Sequence, residues 1–205
     1  SSDPHAGLTT LSADTSASTA SAGMTAGGAL PFAPPTGVQV RTGGNILEAA
    51  GVAFTVPEGW KQVSPSNPMR LAQYVLPGEA GEGELVLFHF GRGQGGDRES
   101  NIRRWAGQFR SDDPTTSSLG ADVAELELDG LRVALVKTTG TYDPGSMGMG
   151  PAPEPKPNWA LFGLVIEGGP EGSIFVKATG PKATMEAQNA NLEAFAQSVR
   201  RSNYK

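Results

Sequence analysis

The spacing of apolar positions changes several times along the chain, and each change marks an element. Leu85 to Phe90 are apolar but for His89 and lie between Glu84 and Gly91. Such a run between turn signals suits a strand buried on both faces. Val86, Phe88 and Phe90 fall on one face of it, and Leu85, Leu87 and His89 on the other. The period then lengthens. Ile102, Trp105, Ala106 and Phe109 stand at i, i+3, i+4 and i+7, an apolar stripe that predicts a helix running to Arg110. Asp97 is placed to cap it, Glu99 sits at the positive end of its dipole, and Arg110 at the negative end.

Shorter alternations surround this unit. Val38 and Val40, then Val52 to Val56, read as strands, followed by a Pro57-Glu58-Gly59 turn with Trp60 and Val63 as packing residues. Met69 to Leu76 places Met69, Leu71, Gln73 and Val75 on one face and Arg70, Ala72, Tyr74 and Leu76 on the other. Val123 to Leu128 and Leu131 to Val136 flank Asp129-Gly130. Both of those residues tolerate the positive φ of a type I′ turn, so an antiparallel hairpin is expected. Trp159 to Ile166 and Ile174 to Ala178 form a further pair. Met185, Leu192, Phe195, Ala196 and Val199 mark the buried stripe of a C-terminal helix, with Arg200 and Arg201 in its last turn. These elements predict an α+β domain: a largely antiparallel sheet of about six or seven strands covered by a mid-chain helix and a C-terminal helix.

The domain is expected to occupy residues 37–205. Residues 1–36 are mostly Ser, Thr, Ala and Gly, with Asp3 and Asp14 as the charged side chains. That composition buries too little apolar surface to offset the entropy of ordering, so it reads as a flexible tail. Its isolated apolar residues, Leu8, Leu11, Met24, Leu30 and Phe32, are candidate anchors if the tail lies along a partner. Residues 143–158 form a proline- and glycine-rich loop, long enough to suggest function.

Charge and composition narrow the function. A net charge of −5 opposes nucleic-acid binding through bulk electrostatics. With no cysteine there is no disulfide, no thiolate metal site and no cysteine nucleophile. No apolar stretch approaches the roughly 18 residues of a membrane span. The chain starts at Ser1. The expectation is a mature, extracytoplasmic protein after loss of a signal peptide, held near a membrane by its N-terminus.

Candidate chemistry is sparse. Gly91-Arg92-Gly93-Gln94-Gly95-Gly96 matches G-x-G-x-x-G between a strand and a helix, but Asp97 puts a negative charge where a phosphate would sit. His5 and His89 are the histidines, no G-x-S-x-G elbow occurs, and zinc of the usual kind lacks ligands. A small-ligand site or enzyme centre would have to use the 91–96 loop and His89. Met147 and Met149 could bind Cu(I) through their thioethers, or contact a partner. Arg92, Arg98, Arg103 and Arg104 form a local basic patch on an acidic chain, suited to an acidic protein surface or lipid headgroups. No catalytic residue, cofactor or metal ligand set is assigned.

The stretch Ala53-Phe54-Thr55-Val56-Pro57-Glu58-Gly59-Trp60 carries Phe-x-x-Pro-x-x-Trp, and with the order of elements it resembles the opening of the PsbP-like fold, a short strand of the form apolar-x-Phe-x-x-Pro-x-x-Trp. The resemblance spans about residues 46–202 and implies a non-enzymatic protein that binds and stabilises a membrane-bound assembly as an extrinsic subunit. No functional residue carries over by position. The candidate contacts are the tail (Leu8, Leu11, Leu30, Phe32), the four arginines, Met147 and Met149.

Overall fold

The computed structural model describes residue 38 and residues 40–111, 120–145 and 153–202. The tail anchors Leu8, Leu11, Leu30 and Phe32, and the loop methionines Met147 and Met149, lie outside the described residues. In chain order the strands are β1 (Val40–Gly43), β2 (Ile46–Ala49), β3 (Val52–Thr55), β4 (Lys61–Val63), β5 (Arg70–Leu76) and β6 (Gly83–His89). After helix α1 (Arg98–Ala106) come β7 (Phe109–Arg110), β8 (Asp122–Leu128), β9 (Leu131–Tyr142), β10 (Lys156–Glu167) and β11 (Ile174–Pro181). Helices α2 (Lys182–Ala187) and α3 (Asn189–Gln197) precede β12 (Arg200–Arg201).

The strands pair antiparallel in two sheets. The larger has eight, in the order β4-β5-β6-β11-β10-β9, with β7 and β8 both pairing with the long β9 at its far edge. The smaller has four, in the order β1-β2-β3-β12. The α+β expectation therefore holds in outline, with more strands and shorter helices than the periodicity predicts. The Asp129-Gly130 hairpin forms as expected: Leu128 pairs with Leu131, and φ is 50° at Asp129 and 69° at Gly130.

Three local expectations are corrected. The mid-chain helix stops at Ala106, and Phe109 and Arg110 continue as a short strand against Tyr142 and Thr141. Arg110 is therefore not a helix-end charge. The C-terminal helix is two helices broken at Gln188, and Arg200 and Arg201 are not its last turn but a strand paired with Ala53 and Val52. Arg201 also donates to the carbonyls of Asp129 (3.2 Å), Gly130 (3.2 Å) and Gly168 (3.0 Å), tying the hairpin and a neighbouring turn to the small sheet. Finally, the β5–β6 register shifts between Arg70 and Ala72. A bulge of this kind re-aims the side chains before it, so Arg70 shares the face of Gln73 rather than that of Tyr74.

The large sheet has two covered faces. On one, Ala160, Phe162, Leu164 and Ile166 of β10 join Met185, Leu192 and Phe195 of α2 and α3 and the buried residues of the small sheet. On the other, Leu161 and Val165 join Trp105 of α1, with Phe109, Tyr142 and Phe175. The aromatic pair at the start of the domain holds the C-terminal helix. Phe54 stacks on Phe195 at 5.0 Å, Trp60 meets the same ring at 5.5 Å, and Trp60 Nε1 donates to Gln188 Oε1 at 2.9 Å. Among the described residues, no helix is long and apolar enough to cross a membrane.

Phe195 is fully buried between those two rings, so its truncation leaves a cavity that neither ring can fill without moving. Phe195→Ala is expected to lower the unfolding free energy in urea by about 3–5 kcal/mol. A loss below about 1 kcal/mol would show that the clamp is not needed.

Candidate functional site

Cross-strand partners point to the same face of a sheet. One such row crosses the face that α1 covers: Val123 on β8, Val136 on β9, Gly163 on β10, Lys177 on β11, Val86 on β6 and Gln73 on β5. The glycine sets where the helix can rest. A Cβ at Gly163 would stand 2.8 Å from the Trp105 ring, closer than carbon atoms pack, so the absent side chain is the socket for Trp105. The helix thus sits over mid-row and leaves two unlike regions beside it, an open groove toward β8 and a polar cluster toward β5.

The groove has a volume of about 380 Å³ and is lined by Arg98, Ile102, Arg103, Ala121, Val123 and Glu125, among others. Val123 is 49% exposed, the large hydrophobic side chain left in solvent among the described residues. Beside it runs β8, which among the described residues pairs with β9 alone. Among the described residues its other edge has no strand partner, which makes it a template for an added strand.

The four arginines do not form one patch. Arg92 donates to the Pro170 carbonyl and holds the turn before β11. Arg98 pairs with Glu125 at 3.0 Å across the groove. Arg104 donates to Asn101 Oδ1 at 2.5 Å and leans toward the polar cluster. Arg103 is exposed on the groove, and its side chain has no hydrogen-bond or ion-pair partner among the described residues.

The polar cluster was not anticipated. Lys177 donates to Gln108 Oε1 at 2.5 Å and to the Tyr142 hydroxyl at 3.2 Å, and it lies over the Tyr142 ring. Arg70 Nη1 is 2.9 Å from Glu84 Oε1, and Glu84 also accepts from Gln73 Nε2 at 2.8 Å. The Arg70 contact is close but misaligned, because neither Nη1 nor Nε has a hydrogen-bond partner. Burial pushes the Lys177 ammonium down to a pKa of about 8; Arg104 and Arg70 push the same way and Glu84 opposes them. Burial first, and then Glu84, raises the Tyr142 phenol above its usual value, against an opposing pull from Arg70. No periodicity announced this site. Lys177 is a lone polar residue in an apolar strand, and the bulge that brings in Arg70 leaves no sequence signal.

The glycine loop and His89 are accounted for by packing. A Cβ at Gly95, where φ is 91°, would lie 2.6 Å from the Phe175 ring. Asp97 fills the helix N-terminus with its own carboxylate, accepting from Ser100 N at 2.8 Å and Ser100 Oγ at 2.7 Å, which holds its pKa below the usual carboxylate value. Asn101 Nδ2 donates to the Gly95 carbonyl at 2.9 Å and ties the loop to the helix. His89 is 1% exposed, with Nδ1 3.0 Å from the Ser173 carbonyl, so that nitrogen donates and the ring is closed to solvent. Among the described residues, no group of three His, Asp or Glu side chains could hold a metal ion.

No protein-family model matches the chain, and no curated protein does. Among solved structures it is similar to PA94, a protein of unknown function from Pseudomonas aeruginosa. The two share 12% identity over 82% of this chain and 99% of that one, with a TM-score of 0.43. A likeness at that level carries no argument about fold family or function.

The sign of the Lys177 shift sets a pH dependence. Its folded pKa is depressed, so between about pH 8 and 10.5 the unfolded chain binds the extra proton and stability rises with pH. Below that window the full cost of burying the charge is present, on the order of 3 kcal/mol. Lys177→Met is expected to remove that rise, so the difference in urea stability between variant and wild type shrinks as pH climbs from 8 to 10.5. A difference constant across the window would mean that the amine titrates normally.

Proposed function

We propose that this protein is a non-catalytic binding subunit, extracytoplasmic and held near a membrane, which stabilises a larger assembly by docking along the α1–β8 groove. The observation that carries the reading is the coincidence, at one sheet edge and among the described residues, of a strand with one edge unpaired, an exposed Val123 and an Arg103 side chain without a partner. The occupant is an extended segment of a protein partner. It adds a strand to β8, sets an apolar residue on Val123 and turns an acidic residue toward Arg103, which is the usual logic of strand addition.

Other features support a binding role over a catalytic one. His89 and the glycine loop are committed to packing. The sequence likeness to the PsbP-like fold implies an extrinsic subunit, and here its Phe54 and Trp60 both contact one helix side chain, Phe195, so the motif serves the fold rather than chemistry. The partner, compartment and membrane association belong to this proposal, with residues 1–36 as the tether.

A photo-crosslinker placed at Val123 is expected to capture one subunit of a membrane assembly in native membranes. Capture should fall in Arg103→Glu and in high salt, since exposed charge pairs are screened. A crosslinker at the exposed Glu58 should capture nothing. Equal capture at both positions, or none at Val123, would contradict the docking face.

A further inference from the structure

On the other side of α1 the structure holds an imbalance of charge. Lys177, Arg70 and Arg104 converge on a half-buried patch that, among the described residues, contains one carboxylate, Glu84. Glu84 is already engaged by Arg70 and Gln73. Buried charges are normally paired, since desolvating an unpaired one is costly. Lys137, on the opposite face, shows the ordinary solution: its ammonium meets Glu193 at 2.7 Å and Asn189 at 3.0 Å. Lys177 instead leans on two neutral oxygens, those of Gln108 and Tyr142.

The hydrogen-bond count runs the same way. Tyr142 and Gln108 each accept from Lys177, which leaves the phenolic proton and the Gln108 amide protons as donors. Arg70 Nε and Nη1 are buried and lack an aligned acceptor. Among the described residues the patch therefore offers several unused donors, and its one carboxylate, Glu84, is already engaged. Unmet buried donors of this kind mark a place where a partner is missing.

We propose that this patch, framed by Lys177, Arg70, Arg104, Tyr142 and Gln108, is a binding site for a single carboxylate. A singly charged planar oxyanion satisfies Lys177 and Arg70 together through charge-assisted hydrogen bonds. A dianion such as phosphate is disfavoured because Glu84 stands in the same patch. The site does not rest on the docking groove, which lies across α1 and uses other residues.

The groups that titrate or carry charge around it are Arg70 from β5, Glu84 from β6, Lys177 from β11, Tyr142 from β9 and Arg104 from α1. Carboxylate binding favours the protonated lysine, so bound ligand raises the Lys177 pKa from about 8, and affinity falls as pH passes above it.

The test is an NMR titration of the Lys177 side-chain signals in the full chain with sodium acetate near neutral pH, at constant ionic strength against chloride. Acetate should shift Lys177 saturably and raise its pKa, and inorganic phosphate should bind more weakly. Arg70→Gln should weaken acetate binding by about tenfold, the effect of losing one charge-assisted donor. Arg104→Gln, at an exposed position with one side-chain contact, should weaken it by about threefold without threatening the fold. A response no different from chloride, tighter binding of phosphate than of acetate, or unchanged affinity in both arginine variants would overturn the assignment.

Discussion

The two candidate regions depend on one contact, the seating of Trp105 in the space that Gly163 leaves on β10. A helix rests on a sheet through its large side chains, and it approaches closely where the sheet offers none. Gly163 lies mid-row on its face, between Val136 and Lys177. Placing α1 there leaves the β8 edge uncovered on one flank and roofs Lys177 with Gln108 and Arg104 on the other. The hydrophobic contribution of one buried Trp is a few kcal/mol at most, but its position decides which residues meet solvent.

The same constraint explains why one face of the sheet is plain and the other mixed. Two short helices and the small sheet close the first face over a continuous apolar cluster, with Phe195 between Phe54 and Trp60 at its centre. Its ionic pair, Lys137 with Glu193, sits at the rim and is complete. The second face is covered by a single nine-residue helix. A helix of that length cannot cover eight strands, so side chains beyond it are left to polar groups and to solvent. Function is therefore best sought on this face.

Much of the fold was legible in the sequence, because alternation and turn chemistry are local. Asp129-Gly130, the apolar β6 run and the buried stripe of Met185, Leu192, Phe195, Ala196 and Val199 all declared themselves. What was missed depended on distant parts of the chain. The two-residue strands β7 and β12 exist only because Tyr142 and Ala53 lie opposite them. The helix ends at Ala106 although Phe109 keeps the helical period, since Phe109 finds Tyr142, at 4.9 Å, by leaving the helix. The arginines read as one patch in sequence, yet they separate because the glycine loop and the helix point Arg92, Arg98 and Arg104 at three different acceptors. Lys177 was invisible for the opposite reason: its neighbours in sequence are apolar and its neighbours in space come from four other elements.

The claim that α1 is fixed at Gly163, and shapes both flanks from there, is tested by measuring the Lys177 side-chain pKa in a Gly163→Val variant. If the helix is lifted from its socket, Gln108 and Arg104 move off Lys177, water reaches the amine, and its pKa returns from about 8 toward 10.5 while the Phe195 core keeps its amide protection. A Lys177 pKa that stays near 8 in the folded variant would mean that α1 holds its place without the glycine, and would contradict the claim.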